Sequence, residues 1–245
     1  MNARYTRQLP LLGSHGQEAL ARAKVFVAGV GGLGSAAAFY LAAAGVGTLR
    51  LCDHDRVSRS NFNRQILHTT EDLDRPKVNS AVQALTALNP EIRIEPRQEK
   101  MDESTLPGLL QDMDLIVDAT DNYPTRRLLN RAALASKLPL VFGGVDSLDG
   151  MAAVFLPRQG PCFECIFPEP ASPKDQIPVL GTSPGIIGSI QALEAVKLIT
   201  GVGWPLTHRL LRFTGAEAAF RTTQLSANPD CPACSPLKPE TQEVK

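Results

Sequence analysis

The chain has 245 residues with 25 basic and 25 acidic side chains, so its formal charge is zero. That balance argues against a global basic face for nucleic acid and leaves room only for a local basic pocket. Hydrophobic residues make up 43% and charged residues 20%, a globular composition with enough length for a substantial core.

No stretch offers 18 uninterrupted apolar residues, so no membrane span is expected. The N-terminus, MNARYTRQLP, has no apolar signal core, and the expected location is cytoplasmic. Five cysteines are an awkward number for a secreted disulfide framework, and four of them fall in two CxxC pairs.

In chain order, Lys24 to Val30 reads as a buried strand, followed at once by GVGGLG. Ser35 to Ala44 reads as a helix and Thr48 to Asp53 as a second strand. Asp74-Arg75-Pro76 opens a helix, with Asp74 near the N-cap and Pro76 in the first turn. Its apolar residues Val78, Ala81, Val82, Leu85 and Leu88 keep helical spacing as far as Asn89-Pro90. Ile92 to Pro96 and Leu115 to Ala119 are further strands, TDNYPTRRLLNRAALASK is a turn plus helix, and Leu140 to Phe142 is another buried strand.

After Gly150 the pattern changes to MAAVFLP, HRLLRFTG and EAAFRTTQL, strands separated by one long helix at about 185–200. The expected fold is α/β: a Rossmann-like, mostly parallel sheet with helices on both faces, continued by an antiparallel C-terminal portion and a four-cysteine zinc knuckle. Residues 1–235 read as a single domain, with a nucleotide-binding part at about 24–143 and an acceptor and zinc part at about 150–235. Residues 168–184 read as a long proline-rich loop and 236–245 as a solvated tail.

Gly29, Gly31 and Gly34 satisfy GxGxxG, with Gly32 as an extra glycine. Glycine lets backbone approach phosphate closely, and the following helix N-terminus offers free N–H groups. Asp53, 19 residues beyond Gly34, stands where a carboxylate would accept ribose hydroxyls. These features leave the choice between a nicotinamide dinucleotide and ATP open.

The segment SNFNRQ at 60–65 narrows it. ATP brings about four negative charges, and holding them calls for fixed donors and several cations. Asn61, Arg64 and Gln65 supply donors from one turn, and Lys77 follows at the start of the next helix. Asp121, at the end of the LIVDA strand, is a candidate Mg²⁺ ligand, since hard cations take carboxylate and phosphate oxygens. Taken singly, a loop arginine or lysine is usually solvated, and Asn or Asp in a turn usually serves the turn. The weight lies in Asp53, Asn61, Arg64, Lys77 and Asp121 converging on one strand-end crevice.

With these residues in view, the chain resembles the family of MoeB, ThiF and HesA, bacterial relatives of ubiquitin-activating enzymes. The matching stretches are RYTRQ (4–8), GVGGLG (29–34), LCDHDRVSRSNFNRQ (51–65), DRPKV (74–78), DATDN (118–122) and both CxxC pairs. The resemblance implies adenylation of the C-terminal glycine carboxylate of a small ubiquitin-like sulfur-carrier protein with MgATP. It implies that Asp53 holds the ribose, Arg64 and Lys77 the triphosphate, and Asp121 the Mg²⁺. The same stretches add Asp55 and Asn122 to the nucleotide-contacting set. It further implies a homodimer in which Arg7, the second arginine of RxxRQ, reaches the neighbouring subunit's ATP site. Such chemistry needs no protein nucleophile, because the attacking carboxylate is already ionised at neutral pH; cations screen its approach to the α-phosphorus.

Cys162, Cys165, Cys231 and Cys234 form two CxxC knuckles without histidine, which suits a closed, structural tetrahedral zinc site. The 65 residues between Cys165 and Cys231 exceed a zinc-ribbon loop, so the fold must bring the halves together. A redox CxxC is the rival reading; the family also carries zinc on matching cysteines. Cys52 reads as core. Many family members carry one more cysteine in the loop before the late helix, but residues 166–184 contain none here, and Lys174 or a neighbour takes that place. A thioester or persulfide step on that loop is unsupported, and sulfur is expected from another protein. Other readings are adenylation of a peptide or small carboxylic acid, a catalytically silent carrier-binding partner, and, as the weakest, an NAD-dependent dehydrogenase.

Overall fold

Alternation within the first strand sets the architecture. Val25 and Val27 point into one core cluster, Phe26 and Ala28 into another, and all four are fully buried. A strand apolar on both faces needs a covering layer on each. The protein, seen in a computed structural model, is described over residues 3–168 and 178–235. Its elements run α1 (Leu9–Arg22), β1 (Lys24–Ala28), α2 (Gly32–Ala44), β2 (Thr48–Cys52), α3 (Lys77–Leu88), β3 (Arg93–Arg97), α4 (Leu106–Leu110), β4 (Leu115–Asp118), α5 (Tyr123–Ser136), β5 (Leu140–Asp146), β6 (Asp149–Phe155), α6 (Phe163–Ile166), α7 (Thr182–Thr200), β7 (Arg209–Thr214) and β8 (Ala219–Gln224).

The strands form one sheet in the order β3-β2-β1-β4-β5-β6-β7-β8. Pairing is parallel from β3 to β5 and antiparallel from β5 to β8. This is the expected mostly parallel sheet with an antiparallel continuation. The first core cluster gathers residues of α1, α2, α3 and α7; the second gathers those of α4, α5 and α6. Helices α2 and α7 lie side by side in the same direction. Pro184 sits against Gly32, and a Cβ on Gly188 would come within 2.3 Å of the Leu33 carbonyl. The chain can make that approach only because residue 188 is glycine.

Several boundaries differ from expectation. Helix α3 begins at Lys77 with Pro76 at its N-cap, and Asp74, at φ 62°, lies before it. Tertiary pairing decides this. Val57 N–H donates to Arg75 O, Asp74 N–H to Val57 O and Lys77 N–H to Asp55 O, so 55–57 and 74–77 form a small antiparallel clasp ahead of the helix. Helix α1 was not anticipated: Pro10, Gly13 and Gly16 weaken its pattern, and Gly13 breaks it internally with φ 67°. Most of the proline-rich 168–184 segment, including Lys174, and the tail from 236 to 245 lie outside the described residues.

Candidate nucleotide and metal sites

The register of the parallel strands assembles the crevice. Ala28 pairs with Cys52 on one side and Asp118 on the other, so the turn from Gly29, the acid Asp53 and the loop from Ala119 emerge together at the carboxyl ends of three strands. Gly29 takes φ 90°, and a Cβ there would be 2.9 Å from the Ala119 carbonyl. A Cβ on Gly34 would fall 2.0 Å from Gly29 O. These glycines are therefore required by close backbone packing, whatever the ligand. Asp53 is buried; its Oδ2 accepts from Val30 N–H at 2.9 Å and its Oδ1 from Asp55 N–H at 2.9 Å.

The 60–65 segment folds over this turn. Asn61 is buried, and its Oδ1 accepts from Ser58 N–H at 3.0 Å, so its carbonyl end serves the turn. Arg64 lies with its Cγ 3.5 Å from the position a Cβ on Gly32 would take. Its Nη1 donates to Ser60 O at 2.8 Å and to Asn63 Oδ1 at 2.9 Å. Gln65 is buried beside Gly31, and its Oε1 finds no hydrogen-bond partner among the described residues. An orphaned polar atom at a glycine turn with open N–H groups fits a site completed by a polar ligand.

Lys77, at the first position of α3, is buried and donates to Asp55 Oδ2 at 2.8 Å. Burial pushes the Asp55 carboxyl up, but the hydrogen bond and charge of Lys77, with His54, outweigh it and hold it below the usual range. The 55–57/74–77 clasp thus places Lys77 at the end of β2, next to Asp53.

Asp121 is exposed on the β4–α5 loop, with only a 3.4 Å contact from Asn122 Nδ2 among the described residues. Asn122 caps α5, its Oδ1 accepting from Thr125 N–H at 3.0 Å. Asp118 was not foreseen in this region. It is fully buried, its Oδ1 accepts from Thr120 N–H at 3.0 Å and Thr120 Oγ1 at 2.7 Å, and its Oδ2 has no partner among the described residues. Burial raises its pKa despite Arg126 and Thr120.

Arg7 is not brought to this crevice. The segment that carries it docks at the far end of α2: Gln8 Nε2 donates to Ala44 O at 2.8 Å, and Asn89 Nδ2 to Tyr5 Oη at 2.9 Å. The length of α2, roughly 20 Å at 1.5 Å per residue, separates Arg7 from the glycine turn.

The four cysteines do meet. Sγ–Sγ distances are 3.8 Å for Cys162–Cys165, 3.6 Å for Cys162–Cys231 and 3.5 Å for Cys165–Cys234. A zinc tetrahedron with Zn–S of about 2.3 Å has an edge of about 3.8 Å, whereas a disulfide brings sulfurs to about 2.05 Å. Burial pushes the Cys162 and Cys234 thiols up, whereas at Cys231 burial is outweighed by hydrogen bonds from the Cys234 and Ala233 backbone, which pull the thiol down. Four thiolates packed this closely need a cation among them. The cysteine set therefore fits zinc.

A second layer escaped the sequence reading. Glu164, inside the first knuckle, is buried and lies 2.7 Å from Arg127 and 3.2 Å from Arg131, while Asn130 Nδ2 donates to it at 3.1 Å. Asn130 also donates to Cys162 Sγ at 3.6 Å and accepts from Phe163 N–H at 3.0 Å. The N-R spacing on α5 carries a hint of it, but its target lies more than thirty residues away. Cys52 is core as expected, its thiol raised to about 12 by burial.

The fold and its glycine turn define a doubly wound α/β protein. The ThiF family model matches residues 5–233, and the chain belongs to that family. It is 44% identical over 244 residues to a sulfur carrier protein adenylyltransferase of Thermus thermophilus, covering 94% of this chain and 90% of the relative. It is 42% identical to the molybdopterin-synthase adenylyltransferase of Escherichia coli, over 94% of this chain and 95% of the relative. Among solved structures, E. coli MccB with ATP shares the fold with a TM-score of 0.85 at 21% identity, over 96% of this chain and 75% of that one. No helix among the described residues is long and apolar enough to cross a membrane.

Proposed function

We propose that this chain is an adenylyltransferase that uses ATP to activate the C-terminal glycine carboxylate of a ubiquitin-like sulfur-carrier protein, releasing pyrophosphate. The observation that carries the reading is the cationic wall of the crevice: Arg64 lies against Gly32 of the glycine turn and Lys77 stands beside Asp55 at the end of β2. Each already has a protein partner, Asp55 for Lys77 and the 60–63 turn for Arg64, and a triphosphate carries enough negative charge to engage both cations as well. The names of the Thermus and E. coli relatives, at 44% and 42% identity, support the same reaction.

In this reading Asp53 takes the ribose, and the turn from Gly29 to Gly34, with Asn61, Gln65 and Asn122, lines the nucleotide. Arg64 and Lys77 hold the phosphates. A carboxylate oxygen of the carrier bonds to the α-phosphorus while the bond from that phosphorus to the bridging oxygen of pyrophosphate breaks. Arg64 and Lys77 stabilise the charge that gathers on the departing group. Asp121 would hold Mg²⁺, which supplies further neutralisation of phosphate charge when bound. Residues 1–235 act as one domain in the cytoplasm, zinc on the four cysteines ties the C-terminal segment to α6, and Arg7 serves the crevice of a second copy of the chain.

ATP–pyrophosphate exchange with a panel of ubiquitin-like carriers and small carboxylic acids tests the proposal. Exchange driven by one carrier is expected. Exchange only with a small acid or a short peptide would move the substrate class. Carrier binding without any exchange would make the chain a silent partner.

A further inference from the structure

Behind the glycine turn lies a buried histidine that the adenylation chemistry does not call on. His68 is 6% exposed, so both ring nitrogens must find protein partners. Nε2 lies 3.2 Å from the Val30 carbonyl and Nδ1 lies 2.8 Å from Ser80 Oγ. A carbonyl can only accept, so Nε2 carries a proton toward Val30, while Nδ1 meets the Ser80 hydroxyl, which also serves the Asp72 carboxylate. Burial, assisted by the nearby Lys77 charge, lowers the ring's pKa, against the Val30 bond and the charges of Asp72 and Asp53.

Val30 is thereby held at both of its backbone groups. Its N–H donates to Asp53 Oδ2 at 2.9 Å, and its C=O accepts from His68. The peptide that follows joins Val30 to Gly31. In a trans peptide the C=O and the next N–H point in opposite directions, and no cis peptide bond occurs here. Drawing the Val30 carbonyl toward His68 therefore turns the Gly31 N–H away from it. Among the described residues that N–H meets no acceptor. Gly31 has no Cβ to resist rotation of the plane, so the orientation must be imposed from outside the turn.

We propose that His68 is a positioning residue that locks the Val30–Gly31 peptide so that the Gly31 N–H faces the nucleotide phosphates. The inference rests on the ATP reading of the crevice and assigns part of its phosphate affinity to a side chain that never touches the nucleotide.

Two near-isosteric variants separate this role from packing. His68→Gln brings an amide N–H to the place of Nε2 and keeps the bond to Val30. His68→Asn reaches only the place of Nδ1 and keeps the bond to Ser80. MgATP binding to the full chain is measured by titration calorimetry, with thermal melting of each variant alongside. Gln is expected to bind within about two-fold of wild type and Asn about ten-fold more weakly, the worth of one well-placed hydrogen bond. Exchange at saturating ATP should recover in the Asn variant, since KM rises and kcat holds. Equal affinity in the two variants overturns the proposal, whether both match wild type or both weaken together with a shared drop in melting temperature. A wild-type chain that binds no MgATP instead removes the nucleotide reading itself.

Discussion

Charged and polar side chains gather in two places, and the two are finished to different degrees. Around the cysteine knuckle the protein matches its own charges: Glu164 faces Arg127, Arg131 and Asn130, and the four sulfurs stand 3.5–3.8 Å apart, the spacing one zinc ion would close. In the strand-end crevice the matching is partial. Among the described residues, Arg64 reaches only Ser60 O and Asn63 Oδ1 of its own turn, Gln65 Oε1 has no partner, and Asp121 makes one 3.4 Å contact. A polar group left unmatched costs stability unless something else completes it. On the proposed reading the knuckle, closed by zinc, holds the chain together and the crevice holds a ligand. Changes at the knuckle should cost stability with little effect on chemistry, and changes in the crevice the reverse.

The largest expected effect comes from the metal. Structural zinc on four thiolates can contribute on the order of 10 kcal/mol to folding. Cys162→Ser, or prolonged chelation, should abolish near-stoichiometric zinc content and lower the melting temperature by tens of degrees. Metal analysis together with calorimetry checks this. A reducible disulfide between the pairs, with no zinc, would give the knuckle a redox role and break the contrast.

Next in size is the crevice. Asp121→Ala should lower pyrophosphate exchange about 10³-fold, the loss of a charge-stabilising group at the reacting phosphates. Because Asp121 is exposed and weakly bonded, its melting temperature should stay within a degree or two of wild type. Arg7→Ala should be similarly inactive. Mixing the two inactive proteins should restore about a quarter of wild-type exchange if sites are shared across a two-fold dimer, because half of random dimers are mixed and each carries one intact site. No recovery on mixing would return Arg7 to a surface role.

Glu164 tests the knuckle without touching a sulfur. Glu164→Ala leaves Arg127 and Arg131 without their common carboxylate. Breaking a fully buried ion pair costs about 3–5 kcal/mol, and the exposure of both arginines reduces this to about 2–3 kcal/mol. Denaturant unfolding should show that loss while exchange at saturating substrates changes less than about two-fold. A large fall in exchange would mean that α5 relays strain from the knuckle to Asp121 at its N-terminus.

Much of this contrast was legible in the sequence because it rests on local spacing. The alternation in KVFVA announces a strand buried on both faces, and Asp53 follows the glycine turn at the interval a strand–helix–strand unit requires. Two CxxC pairs imply a common ligand. What stayed hidden depends on contacts through space. The clasp of 55–57 with 74–77, which moves the start of α3 and delivers Lys77 to Asp55, joins segments with no periodic signal. Glu164 looks like any surface acid until α5 packs over it. His68 looks like a loop histidine until Val30 arrives 38 residues earlier in the chain. Arg7 is the converse case: its motif is plain, yet the fold carries it away from the crevice of its own chain.

The smallest expected effect lies in the parallel half of the sheet but outside the crevice, and it sharpens the contrast by exception. Glu95 on the edge strand β3 accepts from Arg50 Nε at 2.8 Å, and Arg50 Nη1 donates to Leu109 O and Gln111 O at 2.9 Å each. This group is fully matched, so it should behave like the knuckle despite its position. Burial pushes the Glu95 carboxyl up, but the hydrogen bond and charge of Arg50, with Arg93 and Arg97, outweigh it and leave its pKa below the ordinary 4.5. A depressed carboxyl contributes stability that is complete above its unfolded value and disappears as pH falls through its folded value. Glu95→Gln should therefore cost about 1–2 kcal/mol at pH 7, and the difference from wild type should shrink as the pH falls below 4.5. Exchange should be unchanged. A loss of exchange without a loss of stability would show that position in the chain, rather than completeness of matching, decides which charges serve chemistry.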